Sequence, residues 1–242
     1  MKRDHHRWYS DRLHRDMDLL IFGESGARVL IFPTRDGRFW EYEDMGVVAR
    51  LAPRVAAGHL QLWCVDSLDR ETLYGTWGSP ADRLHRHLAF ESYVLEEVLP
   101  LMERINPHPA TIAHGCSLGA FHAANIAFRH PCRFQKLAAF SGRYDLTRAM
   151  EDFADLFAGH YDDAVYYNTP NHFLPGLEDP DALAALRRMD IVLTIGAEDP
   201  FLEDNRHLSR VLAAKGIGHR FEVWDGRAHS AGAWRRMAEL YV

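Results

Sequence analysis

The chain is predicted to fold as an α/β protein: a mostly parallel central sheet with an antiparallel N-terminal hairpin and helices on both faces. Three observations lead there. Short apolar segments of strand character alternate with helical stretches of about a dozen residues, the pattern of parallel strands joined by right-handed crossovers. Near the start, two apolar segments are separated only by Gly23-Glu24-Ser25-Gly26, a turn-rich tetrapeptide suited to a hairpin. The composition, 47% hydrophobic, 26% charged and 12% aromatic over 242 residues, is that of a globular protein with a sizeable core. No repeat, low-complexity tract or linker divides the sequence. One domain over 1–242 is expected, with a small insertion at about 146–188.

Taken in order, a polar N-terminal arm precedes the two hairpin strands, 17–22 and 28–32. Pro33-Thr34-Arg35-Asp36-Gly37 is a loop, and an aromatic and acidic patch from Phe39 to Asp44 leads into a helix over 46–57 that contains Pro53. Residues 59–65 form a strand. Residues 66–80 carry Ser, Gly, Pro, Tyr74 and Trp77 and make a loop long enough to suggest use rather than mere connection. Between 82 and 105, Phe90, Val94, Leu95, Val98, Leu99 and Met102 recur at helical spacing, with a kink expected at Pro100.

A short strand at 111–113 then runs into His114-Gly115-Cys116-Ser117-Leu118-Gly119, and small and apolar residues over 120–128 make a buried helix. Residues 136–140 are a strand. Residues 143–189 are irregular, because Thr169-Pro170 and Leu174-Pro175-Gly176 interrupt any long helix, and 151–167 reads equally as a cap over the site or as a solvated surface segment. A strand over 191–195, a helix over 201–214 stopped at Gly216, a strand over 220–224 and a helix over 231–240 complete the chain.

Charge and cysteine content narrow the function classes. With 28 Lys and Arg against 34 Asp and Glu, the formal charge is −6, so phosphate backbones meet no broad attraction and nucleic acid is not an expected partner. Cys64, Cys116 and Cys132 form no CxxC pair, which argues against a disulfide scaffold and for reduced thiols. The opening Met1-Lys2-Arg3-Asp4-His5-His6-Arg7 is unlike a secretory signal, and no apolar run nears the roughly 20 residues that cross a bilayer. A cytoplasmic protein without a membrane partner is expected; a homo-oligomer is compatible with this. His85 with His87, and His5 with His6, lack a carboxylate cluster at ligand spacing, so they are read as exposed histidines and no metal is expected.

The chemistry concentrates at Gly115-Cys116-Ser117-Leu118-Gly119, which fits G-x-S-x-G. In that pattern a sharp strand-to-helix turn lifts a serine hydroxyl above the sheet, and glycines flank it because neighbouring backbone comes too close for side chains. A chain of this length matches by chance only ~0.05 times, and here the match also lies after a strand and before a small-residue helix. Serine is a weak nucleophile at neutral pH and needs a base oriented by a carboxylate. Strand 220–224 empties into Asp225-Gly226-Arg227-Ala228-His229, and His229 alone of fifteen histidines lies between the last strand and the final helix. Strand 191–195 empties into Gly196-Ala197-Glu198-Asp199-Pro200, which offers two carboxylates, Glu198 and Asp199.

His114-Gly115-Cys116-Ser117-Leu118-Gly119-Ala120, Ser141-Gly142-Arg143-Tyr144-Asp145, Gly196-Ala197-Glu198-Asp199 and His229, in that order, resemble the esterase branch of the α/β-hydrolase superfamily, which includes esterase D (S-formylglutathione hydrolase), feruloyl esterases and mycolyltransferases. The resemblance runs from about Leu19 to the C-terminus. It implies an α/β-hydrolase fold, Ser117 as nucleophile, Asp199 as the acid and His229 as the base, with no cofactor. It also implies an oxyanion hole made by the backbone N–H of Leu118 and one from Pro33-Thr34-Arg35, either Thr34 or Arg35. This sequence departs from many esterases there, lacking their His-Gly run.

Three activities are weighed: hydrolysis of a small-molecule ester through an acyl-enzyme, transfer of the acyl group to an alcohol, and a catalytically silent binding module. The complete set of serine, acid and histidine argues against the third; chemistry alone does not separate the first two, and hydrolysis is the leading expectation. Trp40, Tyr74 and Trp77, with Arg35, lie on loops at the carboxyl edge of the sheet, where ligands bind in open α/β folds, and are the candidate substrate-binding residues. Cys116 and His122 are expected to pack in the interior.

Overall fold

Eight strands form one sheet in the computed structural model, which describes residues 1–150 and 152–242. In chain order they are β1 (Arg3–Ser10), β2 (Arg15–Phe22), β3 (Ala27–Phe32), β4 (Leu60–Val65), β5 (Thr111–Cys116), β6 (Lys136–Phe140), β7 (Asp190–Gly196) and β8 (Arg220–Trp224), and their order across the sheet is β1-β2-β4-β3-β5-β6-β7-β8. The strands from β3 onward run parallel, whereas β2 is antiparallel to both β1 and β4. The central strands are apolar on both sides because both sides are covered. In β3, Val29 and Ile31 enter one core while Leu30 and Phe32 enter the other. The first core also receives α2 (Val47–Ala56) and α10 (Ala231–Tyr241); the second receives α3 (Pro80–Tyr93), α4 (Leu99–Ile105), α5 (Leu118–Arg129), α8 (Pro180–Arg188) and α9 (Leu202–Ala214).

The hairpin is not the one expected. Residues 17–22 and 28–32 do form strands, but β4 lies between them, and the antiparallel partner of β2 is β1, drawn from the supposed polar arm. Gly26 turns the chain at φ +97°, and a Cβ there would sit 2.3 Å from the carbonyl carbon of His59, so this turn packs against the entry to β4 instead of closing a hairpin. β1 carries no apolar pattern because it is an edge strand. Its charged side chains pair across the ladder, His5 with Asp18 at 2.7 Å and Arg7 with Asp16 at 3.1 Å, and they blunt the open edge.

Helix 82–105 resolves into α3 and α4 joined by one π turn over Val94–Val98. Pro100 cannot donate to the carbonyl of Glu96, and the ladder shifts by one residue so that Leu99 N–H bonds to Val94 O. The segment expected to be irregular contains α6 (Asp163–Tyr167), α7 (Pro170–Phe173) and α8. The signal for α8 was present: Asp179 caps the amides of Asp181 and Ala182, Pro180 occupies the first turn, and two arginines sit at the end. Glu151, where the segment 151–167 begins, lies outside the described residues. His87 is a further correction, since it is 3% exposed and packs against Phe121 and His122. Among the described residues, no helix is long and apolar enough to cross a membrane.

Candidate active site

Ser117 ends β5 and starts α5 with φ 56° and ψ −122°, a conformation costly for any residue with a side chain. Its surroundings leave no alternative. A Cβ on Gly115 would fall 2.1 Å from the Gly119 backbone, and one on Gly119 would fall 2.3 Å from Phe32 O and 2.5 Å from Pro33 O. The two glycines therefore let the elbow close against α5 and against the end of β3. The Ser117 amide donates to Phe140 O at 2.8 Å, which ties the turn to β6.

Asp199 and His229 sit on the loops after β7 and β8. Those loops are clipped together: Ala197 N–H donates to Trp224 O at 2.8 Å and Glu198 N–H to Gly226 O at 2.9 Å. A Cβ on Gly196 would lie 1.9 Å from Arg227 O, so only glycine permits this approach. Asp199 is buried, with Oδ1 accepting the Phe201 amide at 3.0 Å and Oδ2 left 2.7 Å from His229 Nδ1. His229 Nε2 is 3.1 Å from Ser117 Oγ. Glu198, the competing carboxylate, points to solvent. An ionised Asp199 only accepts, so Nδ1 carries the proton and the Nε2 lone pair faces the serine hydroxyl. Trp234 and Phe201 pack edge-on to the imidazole at 5.2 Å and 6.0 Å between centroids.

Ser117 and His229 open into a cavity of about 290 Å³. Tyr74 and Arg35 line it, but Trp40 and Trp77 do not. Trp40 packs under Arg38 on a separate groove beside Met45, and Trp77 is 46% exposed with its indole N–H donating to Glu71 O. Their loops reach the correct edge of the sheet, yet each side chain turns away. The structure adds lining residues that sequence reasoning missed, Arg143, Leu146 and Phe153 from the stretch after β6 and Phe201, Arg227 and Trp234 near the acid and the base. Arg227 and Trp234 flank His229 in sequence, which is a signal that could have found them. Arg143 stands inside one of the recognised motifs.

The amides near Ser117 differ in their commitments. Thr34 N–H donates to the Glu41 carboxylate at 2.7 Å, and the Thr34 hydroxyl donates to its other oxygen. Burial pushes the Glu41 carboxyl up, and these two bonds oppose the rise. Leu118 N–H, in the first turn of α5, and Arg35 N–H have no acceptor among the described residues. Cys116 is fully buried and accepts the Tyr42 hydroxyl at 3.1 Å, and burial raises its thiol, consistent with packing rather than chemistry. His122 is buried against Phe32, Phe90 and Asp69.

This strand order, with a serine lifted on the elbow between the central strand and its following helix, defines an α/β hydrolase. Its sequence places it more narrowly. The chain belongs to the esterase family described as "Putative esterase", which matches residues 64–237. A ferulic acid esterase shares the fold with a TM-score of 0.75 at 17% identity, over 99% of this chain and 95% of that one. S-formylglutathione hydrolase FrmB from Staphylococcus aureus gives 0.72 at 13% identity, over 99% and 94%. The enterobactin esterase FES from Shigella flexneri gives 0.64 at 23% identity, over 99% of this chain but 58% of that longer one. At such identities the likeness is one of fold. Among curated proteins the sequence has no significant match.

Proposed function

We propose that the protein hydrolyses carboxylic esters through an acyl-enzyme on Ser117. The observation that carries this reading is the unbroken line from Ser117 Oγ through His229 to Asp199, at 3.1 Å and 2.7 Å, at the mouth of a cavity. His229 Nε2 takes the hydroxyl proton as Oγ bonds to the ester carbonyl carbon. The carbonyl oxygen becomes an oxyanion facing the free amides of Leu118 and Arg35. Thr34 is the weaker candidate for that role, because its amide is already committed to Glu41. Each such donor lowers the barrier by about 3 kcal/mol. Collapse of the tetrahedral intermediate breaks the carbon–oxygen bond to the alcohol, which leaves with the proton from Nε2. Water then attacks the acyl-enzyme, gives its proton to Nε2, and a second collapse releases the acid and returns the proton to Ser117.

Asp199 holds the imidazole in the tautomer these steps require and stabilises the imidazolium formed in each. Ser117→Ala removes the nucleophile and leaves the buried frame untouched. Its kcat for p-nitrophenyl butyrate should fall by at least roughly a thousandfold with an unchanged circular dichroism spectrum, and a fluorophosphonate probe should label the wild type alone. Turnover by the folded variant at the wild-type rate would defeat the reading.

A further inference from the structure

Every formally charged side chain on the wall of the Ser117 cavity is an arginine. Arg35, Arg143 and Arg227 line it, and no Asp or Glu does among the described residues, although the chain as a whole carries −6. None of the three pairs with a carboxylate within that same set. Arg35 lies over the Tyr74 ring at 5.0 Å, and both Arg35 and Arg227 are exposed at the rim, where solvent screens them.

Arg143 is different. It is 3% exposed, and among the described residues its guanidinium meets only backbone carbonyls: Nε donates to Asp145 O at 3.3 Å, Nη2 to Arg148 O at 2.7 Å, to Ala154 O at 2.8 Å and to Leu146 O at 3.5 Å. Nη1 has no acceptor among the described residues. No carboxylate among the described residues forms an ion pair with it. Asp145 holds Thr147 and His172, Asp204 holds the Tyr144 and Asp145 amides and Asn171, and Asp199 holds His229 and the Phe201 amide. Carbonyl dipoles satisfy hydrogen bonds without cancelling a unit charge, and a guanidinium keeps its charge. A buried cation that no described carboxylate pairs, set in the wall of a cavity, contributes positive potential there through a low-dielectric medium, where it acts with little screening.

Resting on the esterase reading above, the geometry points to a substrate class: an ester that carries a carboxylate, whose charge Arg143 compensates within the cavity while Arg35 and Arg227 draw it in at the rim. The anionic group complements a buried guanidinium that bonds to no carboxylate among the described residues. Neutral esters of the same size forgo that complement.

The test compares isosteric pairs in low salt. One pair places the charge on the acyl side, p-nitrophenyl hemiglutarate against its carboxamide; the other places it on the alcohol side, 4-carboxyphenyl butyrate against 4-carbamoylphenyl butyrate. In at least one pair the anionic member should have kcat/KM roughly tenfold above the neutral one, a preference that shrinks as salt is raised. Arg143→Lys should keep most of the preference and Arg143→Gln should lose it. Because Arg143 also anchors loop carbonyls, Arg227→Gln serves as the second variant and should narrow the anionic-to-neutral ratio by itself. Equal or lower kcat/KM for both anionic members with an active wild type would overturn this inference and leave the esterase reading standing. Absence of turnover on all four esters, with no fluorophosphonate labelling, would overturn both.

Discussion

Thr34 and Glu41 are joined twice, the amide of Thr34 donating to one carboxylate oxygen and its hydroxyl to the other, so the loop after β3 is held from α1 (Glu41–Asp44). The intervening Gly37 makes room for this clasp, since a Cβ there would stand 2.6 Å from the Glu41 carboxylate. Such a clasp fixes where the next amide, that of Arg35, can point.

On the mechanism proposed above, Glu41 is a positioning residue. Glu41→Ala removes both acceptors, leaves the Thr34 amide and hydroxyl without their partner and loosens the loop. With a p-nitrophenyl ester, kcat should fall roughly tenfold while KM moves less, the signature of a group that steadies an oxyanion donor without holding the ground state. An unchanged kcat would show that the Arg35 amide needs no such support.

The elbow makes a second prediction. Gly119→Ala drives a methyl into the carbonyl oxygens of Phe32 and Pro33, which are backbone and cannot swing aside. Urea unfolding should show a loss of about 3 kcal/mol or more, and activity should fall further than occupancy of the folded state explains, because the displaced segment carries the Thr34 and Arg35 amides. A stable, fully active Gly119→Ala protein would contradict the close packing of α5 on β3.

Two buried groups shape stability in acid with opposite signs. Burial drops the His114 imidazole from 6.5 to about 4, while its Nδ1–H donates to Ala138 O at 2.7 Å and Nε2 has no partner to receive a proton's charge. Between those values the unfolded chain binds a proton the folded one refuses, so this contribution is lost as pH falls. Burial raises the Asp204 carboxyl from 3.8 to about 6, against the amides of Tyr144 and Asp145, so between those values the folded chain binds the extra proton and acid stabilises it. Urea midpoints measured at about pH 7 and about pH 5 should therefore fall less in His114→Phe than in the wild type, and more in Asp204→Asn. Identical pH dependence in all three proteins would exclude both assignments.

Much of the fold was legible because its elements are local and strongly patterned. The segment Lys136–Phe140 and the segment Arg220–Trp224 begin and end where apolar runs meet turn residues. β1 was not legible, since an edge strand paired on one side needs no apolar face. The order in which strands pair was also hidden: two apolar segments flanking Gly23 and Gly26 look like a hairpin whether or not another strand inserts between them. At the site, Ser117 and His229 stood out because each follows a strand at its carboxyl end, whereas the same placement offered Glu198 and Asp199 alike and only the family resemblance chose Asp199. Trp40 and Trp77 followed the same rule of placement and still face elsewhere, because placement locates a loop and leaves its side-chain direction to the packing around it.

The amino-acid sequence by itself determined the strand and helix alternation, the glycine-flanked elbow and the chain order of serine, acid and histidine, all of which depend on local sterics and hydrophobic period. Only the tertiary structure decided that β4 separates β2 from β3, that Glu41 occupies the Thr34 amide and not that of Arg35, and that Arg143 lies buried on the wall of the Ser117 cavity with no carboxylate bonded to it among the described residues. Those relations join residues far apart in the chain. They are set by which surfaces bury one another and which polar groups then find partners, and neither can be read from neighbours in sequence.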